Sequence, residues 1–391
     1  MKVLIITRLF PNACEPLWAP FNRQQFAALS RLCEVEVLGT IPWFPGARAV
    51  KRWSAAGRLA GVPREESIAG VHVRHPRYLL LPKIGHAIAW QLYAASVAPL
   101  VLGYRRRVDV VLGSWAYPDG CAAVALARLL RVPAVVKLHG SDLNVVAALR
   151  GPRRSLLRIL PRAHRVVAVS RPLADQAAAL GVPRERISLV PNGVDETLFH
   201  PRDRQAARAA LGPPDDRGRW IVCVGRLERS KGVLDLIDAF GRMSDPEAKL
   251  FLVGDGAARG ECERAVARFG ARATVVGPRP LEAVPTWMAA ADVVALPSWN
   301  EGTPNALLEA LACGRRVVAT RVGGVPDVLT SDRLGELVEP QQPAALAEAL
   351  SRALRTPYDA AIVASSVAGR GWNESASRLR DVLEEATRAA A

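Results

Sequence analysis

The densest concentration of chemistry is the run Ser298-Trp-Asn-Glu-Gly-Thr-Pro-Asn-Ala-Leu-Leu-Glu309. Glu301 and Glu309 stand eight residues apart. On one continuous helix that spacing would separate them by about 80° of rotation and about 12 Å of rise. Gly302 and Pro304 argue against continuity. They make Glu301 a loop residue after a strand ending at Leu296, and they start a helix near Asn305, because proline is tolerated in a first helical turn. The unpaired N–H groups of such a helix start converge into an anion site. One carboxylate, Glu301, therefore precedes an anion site around Gly302, Thr303, Pro304 and Asn305. A second, Glu309, lies about one turn inside the helix. N–H groups suit phosphates and carboxylates suit sugar hydroxyls, so a phosphorylated, hydroxyl-rich ligand fits. Two solvated surface glutamates would satisfy the same spacing.

Two further clusters carry polar chemistry at predicted strand ends. In Val224-Gly-Arg-Leu-Glu-Arg-Ser-Lys-Gly232, Gly225 closes a strand, Arg226 and Lys231 flank a turn, and Gly232 precedes a helix. Two cations there would neutralise a diphosphate; a solvated basic turn is the plain alternative. Lysine is scarce in this chain, which makes Lys231 harder to dismiss as background. In Lys137-Leu-His-Gly-Ser-Asp-Leu143, His139 and Asp142 follow a strand. Ligands of open α/β sheets bind at that end, although a lone histidine is commonly structural and Asp142 could cap a helix.

The elements that must position these clusters follow from alternating apolar runs and helical stretches. Strands are predicted at 2–7, 35–38, 71–74, 108–112, 134–138 and 165–169, with helices at 21–32, 119–130 and 171–180. The pattern then restarts. Strands are predicted at 220–224, 249–253, 273–276, 293–296, 316–320 and 335–338, with helices at 233–243, 260–269, 281–290, 305–313 and 343–354. Runs nearly continuous in Val, Ile and Leu mark strands buried on both faces of a parallel sheet. Alternation of this kind predicts doubly wound α/β layers, and two sets predict two similar domains. A linker is expected at His200–Arg219, which holds Pro201, Pro213, Pro214 and Gly218. The domain boundaries are placed at 1–199, 200–364 and a final helix over 365–391.

Composition bounds the class. The chain has 391 residues, half of them hydrophobic and 23% charged, which suits a well-packed globular protein and excludes wholesale disorder. Its net charge is +15, and only six of 52 basic residues are lysine. Such basicity suits phosphorylated substrates, an anionic membrane face or nucleic acid. No helix-turn-helix, zinc-finger or RNP signature accompanies it, so no nucleic-acid partner is expected. Six scattered cysteines form no C-x-x-C pair, which points to reduced thiols in a cytoplasmic protein rather than to a metal site. The N-terminal apolar run ends at Arg8, too early for a signal peptide. The segment Ile84–Tyr104 has 21 residues without a formal charge, between Lys83 and Arg105–Arg107. It reads either as a core-packed helix or as a helix resting on a membrane interface, with Trp90, Tyr93 and Tyr104 at the headgroups.

Taken together, the clusters resemble those of the retaining nucleotide-sugar glycosyltransferases of family 4, and of its bacterial polysaccharide-assembly members in particular. Val108-Asp-Val-Val-Leu-Gly-Ser-Trp-Ala-Tyr-Pro-Asp-Gly120 is similar to the segment that precedes the family's His-Gly-Ser-Asp motif. Val190-Pro-Asn-Gly-Val-Asp195 resembles its inter-domain signature. The Gly-Arg-Leu…Lys-Gly motif, Val253-Gly-Asp-Gly256 and the Glu-x7-Glu motif follow in the family's order. The resemblance implies the GT-B fold, two Rossmann-like domains facing a cleft, with the final helix crossing back to the first. It implies that Arg226 and Lys231 bind the donor diphosphate, that Glu301 holds donor-sugar hydroxyls, that Glu309 holds the ribose, and that His139 sits beside the transferred sugar. The first loop departs from the pattern: Phe10–Phe21 lacks the common Gly-Gly pair and has Ala19 where related members carry glycine.

The expected activity is transfer of a sugar from a nucleoside diphosphate to an acceptor hydroxyl with retained configuration, the acceptor being a lipid-linked glycan of surface polysaccharide assembly. No Asp-x-Asp occurs, so no metal and no other cofactor is expected. An anionic membrane surface is a further expected partner, at the inner face of the plasma membrane. The rival readings are a non-catalytic nucleotide- or polyanion-binding protein, a sugar-nucleotide epimerase of the same fold, and a phosphorylase-like enzyme. The last would need a pyridoxal-phosphate lysine, and none follows Lys249.

Overall fold

The computed structural model describes residues 1–50, 54–81, 87–212 and 218–390. The chain divides into two compact units: residues 1–192 with 372–391, and residues 193–371. These limits differ by a few residues from 199/200 and 364/365. Phe199 is buried in the second unit's core, and Val194 bridges Gly371 within that unit.

In the first unit, strands β1 (Lys2–Thr7), β2 (Glu34–Gly39), β3 (Ile41–Trp43), β4 (Glu65–Ile68), β5 (Val71–Arg74), β6 (Arg77–Leu79), β7 (Val110–Ser114), β8 (Ala134–Leu138), β9 (Arg165–Ala168) and β10 (Ile187–Leu189) are described. Eight of them form one sheet in the order β10-β9-β8-β7-β1-β2-β5-β4, parallel except for the β4–β5 pair. Alternate residues of β1 serve the two faces. Leu4 and Ile6 join the core beneath the helices Ala89–Leu102 and Cys121–Leu130, while Val3 and Ile5 join that beneath Pro20–Leu29 and Trp372–Ala390. The final helix thus returns to the first unit and packs on Pro20–Leu29. The strand order reverses between β1 and β7, which opens a crevice at their carboxyl ends.

The second unit repeats the plan with β11 (Arg219–Val224), β12 (Ala248–Val253), β13 (Ala273–Gly277), β14 (Val293–Leu296), β15 (Val317–Thr320) and β16 (Gly335–Val338). All are parallel, in the order β13-β12-β11-β14-β15-β16. The reversal lies between β11 and β14, so the loops 225–232 and 297–304 meet there.

Two expectations change. The 200–219 segment is not all linker. Arg204–Leu211 is a helix of the second unit, because Asp203 caps it by accepting from Ala206 N at 2.7 Å, and Arg208 anchors it to Asp292 at 2.6 Å. Residues 213–217 of that segment lie outside the described residues. Within Ile84–Tyr104, residues 84–86 likewise lie outside, as does Lys83. The remainder forms the helix Ala89–Leu102 and is core-packed: Tyr93, Val97, Val101 and Tyr104 are buried. The Tyr93 hydroxyl lies 2.7 Å from Thr40 Oγ1 and the Tyr104 hydroxyl donates to Glu36 Oε1, so neither buried tyrosine presents its ring to an interface. Among the described residues no helix is long and apolar enough to cross a membrane.

Candidate functional site

The second unit brings the two sequence motifs together. Past β11 the chain turns through Gly225, whose φ of +150° suits glycine, and enters the helix Val233–Arg242 from Gly232. Gly232 has φ +64°, and a Cβ there would lie 1.9 Å from the Pro297 carbonyl oxygen. The 225–232 loop can therefore press against the loop after β14 only with glycine at this point. That approach delivers Lys231 Nζ to within 2.6 Å of Glu301 Oε1. Ser298 Oγ donates to the same oxygen at 2.7 Å. Glu301 is in the loop, as the Gly302 and Pro304 spacing requires, and the helix begins at Asn305 with Pro304 as its N-cap. Thr303 is buried beside it. Arg226 extends outward and pairs with Glu228 at 2.7 Å.

Glu309 sits in that helix, half-buried. Its carboxylate has no hydrogen-bond partner among the described residues. Burial pushes it up to about 7 from the usual 4.5. An unpartnered carboxylate in this position is a ready acceptor for hydroxyl groups.

In the first unit, His139 follows β8 and faces Ser114 at the end of β7. The Ser114 residue was missed in sequence because β7 runs two residues past the expected Leu112, and its parallel register sets Ser114 opposite Lys137. His139 Nε2 and Ser114 Oγ are 2.8 Å apart. Neighbours fix the proton's place. Asn22 Nδ2 donates to the Leu9 carbonyl at 2.7 Å, which turns its Oδ1 toward Ser114 Oγ at 3.2 Å. The Ser114 hydroxyl donates to Asn22, so it accepts from His139 Nε2–H. Nδ1 is then an acceptor. Burial, and secondly Lys137, hold the His139 imidazole well below its usual range, so it stays neutral.

Asp142 organises the loop that presents His139. Its buried carboxylate accepts from the backbone N–H groups of Ala116 (3.0 Å), His139 (3.2 Å), Gly140 (2.7 Å) and Leu143 (3.2 Å). It thereby ties the segment after β7 to the segment after β8, a larger role than a helix cap. Trp115, between them, has φ +110°, and its buried indole N–H has no partner among the described residues. A non-glycine residue held in this region stores strain at a candidate site. Beneath them, fully buried Lys137 is lowered to about 7 by desolvation and donates to Gln25 Oε1; Gln25 in turn donates to Ser375 of the final helix at 2.8 Å. No set of three or more His, Cys, Asp or Glu among the described residues is grouped to hold a metal.

Two family profiles match this chain: "Glycosyltransferase Family 4" over residues 27–198 and "Glycosyl transferases group 1" over residues 218–356. The Bacillus subtilis protein TuaC, whose name assigns it to teichuronic acid biosynthesis as a glycosyltransferase, is 30% identical over 90% of this chain and 89% of its own. This chain is a family 4 glycosyltransferase. A D-inositol 3-phosphate glycosyltransferase of Catenulispora acidiphila is 32% identical over 68% of this chain and 70% of its own length. Among solved structures, Anabaena HepE in complex with UDP superposes with TM-score 0.74 at 21% identity, covering 98% of this chain and 100% of that one. The catalytic domain of starch synthase IV from Arabidopsis thaliana, bound to ADP and acarbose, gives 0.72 at 13% identity over 99% of both chains. These likenesses establish the GT-B fold of the glycosyltransferase.

Proposed function

We propose that this glycosyltransferase moves a sugar from a nucleoside diphosphate donor to an acceptor hydroxyl, with retained anomeric configuration and without a metal ion. One observation carries the reading: Lys231, Glu301 and Ser298 converge beside a helix start at the β11/β14 reversal. Lys231 and Arg226, with the N–H groups of Gly302, Thr303 and Asn305 around Pro304, take the diphosphate. An ammonium carries three protons, and Glu301 occupies one. Glu301 holds hydroxyls of the donor sugar, and Glu309 holds the ribose. Neutral His139 contacts the transferred sugar with Nδ1 as acceptor.

In the transfer, the bond from the anomeric carbon to the diphosphate oxygen breaks and its electron pair leaves with the diphosphate. The acceptor oxygen forms the new bond on the same face, and its proton passes to the departing phosphate. Cations and helix N–H groups stabilise the charge that grows on that leaving group. The similarity to TuaC over nine-tenths of the chain supports a glycan acceptor in polysaccharide assembly; that the glycan is carried on a lipid at the inner membrane face is part of the proposal. The test is a screen of the purified protein against UDP-, GDP- and ADP-sugars, read by donor hydrolysis and by the anomeric configuration of transferred product in NMR. Turnover of one donor with retention supports the reading; no turnover and no binding of any donor favours a non-catalytic polyanion-binding protein.

A further inference from the structure

The first unit carries a basic and apolar face outside the site. From Leu143 to Ala174 there is no acidic residue, while seven arginines occur. The helix Arg150–Ile159 buries Pro152, Leu156 and Ile159. Helical periodicity therefore sends Arg150, Arg153, Arg154 and Arg158 to the opposite, exposed face. None of these four guanidinium groups pairs with a carboxylate among the described residues, whereas arginines such as Arg208, Arg219, Arg352 and Arg378 do.

Apolar side chains are exposed on this helix and in the segment that leads into it. Val145 is 55% exposed, Leu149 50% and Leu157 43%. Leu157 lies on the arginine face itself. At the helix start, Gly151 backs onto Ala87, where a Cβ would come within 2.9 Å of Ala87 Cα. The exposed Ile88 thus borders the same face.

We infer that the Arg150–Ile159 face docks this unit onto an anionic membrane surface, the arginines meeting lipid phosphates and Val145, Leu149 and Leu157 entering the headgroup region. Charge alone would suit any polyanion. Interleaved, exposed aliphatic side chains gain nothing from a soluble polyanion and gain burial at a lipid interface. Val145 follows by three residues Asp142, which fixes the His139 loop, so docking would bring a lipid-borne acceptor to the end of the unit that carries His139. The inference rests on the lipid-linked acceptor only for its purpose: vesicle binding is read without any sugar donor, and donor binding without any vesicle.

The test is co-sedimentation of the full chain with vesicles of phosphatidylglycerol and phosphatidylcholine, against pure phosphatidylcholine, at low and high salt. Each arginine near an anionic surface strengthens binding by about fivefold. Replacing all four arginines by glutamine should therefore lower partitioning by on the order of a hundredfold or more. The pair Leu149→Ser and Leu157→Ser should weaken it severalfold at unchanged charge, and high salt should release the wild type. Replacing Arg105, Arg106 and Arg107 by glutamine should leave most binding intact. All changed side chains are exposed, and circular dichroism checks the fold. Failure of wild type to bind anionic vesicles at low salt overturns the inference. So does full retention in the quadruple arginine variant. A serine pair that binds as wild type, with competition by soluble polyphosphate, assigns the face to a soluble polyanion and also overturns it.

Discussion

Lys231 Nζ and Glu301 Oε1 lie 2.6 Å apart although seventy residues separate them in sequence. The pair is largely shielded, with 26% and 13% of the two side chains exposed. It joins the loops after the two strands at which the second sheet reverses. Removing one partner of a hydrogen bond to a charged group costs about 1.5–3 kcal/mol. Glu301→Gln keeps the shape and loses the charge. Its turnover should fall by roughly 10- to 150-fold, while circular dichroism shows the fold intact. Unchanged turnover would remove Glu301 from the sugar site.

Glu309 makes a pH-dependent prediction. Its folded-state value of about 7 lies above the usual 4.5. Below pH 4.5 the group is protonated in both states, so it makes no difference between them. As pH rises toward 7 the unfolded chain loses the proton first, and stability falls; above 7 the fall is complete. Glu309→Gln should therefore melt above wild type at pH 8 and show no gain at pH 4. In the proposed site, ribose hydroxyls would favour the ionised carboxylate of Glu309, so donor binding near pH 6 should release a proton, visible as a buffer-dependent heat in calorimetry. That dependence should vanish in the variant.

Much of this was readable from residue order. The buried strands β1, β8 and β14 sit at the predicted residues because both faces of each are covered, which leaves largely apolar runs. Glu301 in a loop and Glu309 in a helix followed from Gly302 and Pro304. Other features depend on tertiary register. The Ser114–His139 contact exists because β7 pairs with β8 so that Ser114 opposes Lys137, and nothing local to Ser114 signals it. The short β3–β6 pair contains Pro42 and only three residues per strand, too little to show periodicity. The charge-free stretch before Arg105 could not reveal its inner face, because absence of charge is common to a core helix and an interfacial one. The Arg150–Ile159 face was hidden by an arginine excess spread along the chain.

The first loop offers a stability prediction. Ala19 holds φ +46° and ψ +55° at the start of the helix Pro20–Leu29. The left-handed region costs an L-residue about 1–2 kcal/mol. Ala19→Gly should raise stability by up to about 1 kcal/mol, since part of the relief is offset by the greater freedom of unfolded glycine. Urea unfolding measures it, and a lowered midpoint would contradict the strain.

Metal removal gives a fourth prediction. In the proposed transfer, Lys231, Arg226 and the N–H groups at the start of the Asn305–Ala312 helix would supply the positive potential for the diphosphate. Transfer should persist in excess EDTA with the same turnover. Loss of activity restored by magnesium or manganese would contradict the assignment of the charge to these side chains.

The most direct measurement is a calorimetric titration of nucleoside diphosphates into wild type and Lys231→Ala. The account predicts that wild type binds at least one of UDP, GDP and ADP, and that the variant binds the same nucleotide roughly 10- to 150-fold more weakly, the range for a lost charge-assisted hydrogen bond. Equal affinity in the two proteins would contradict the placement of the donor diphosphate at Lys231.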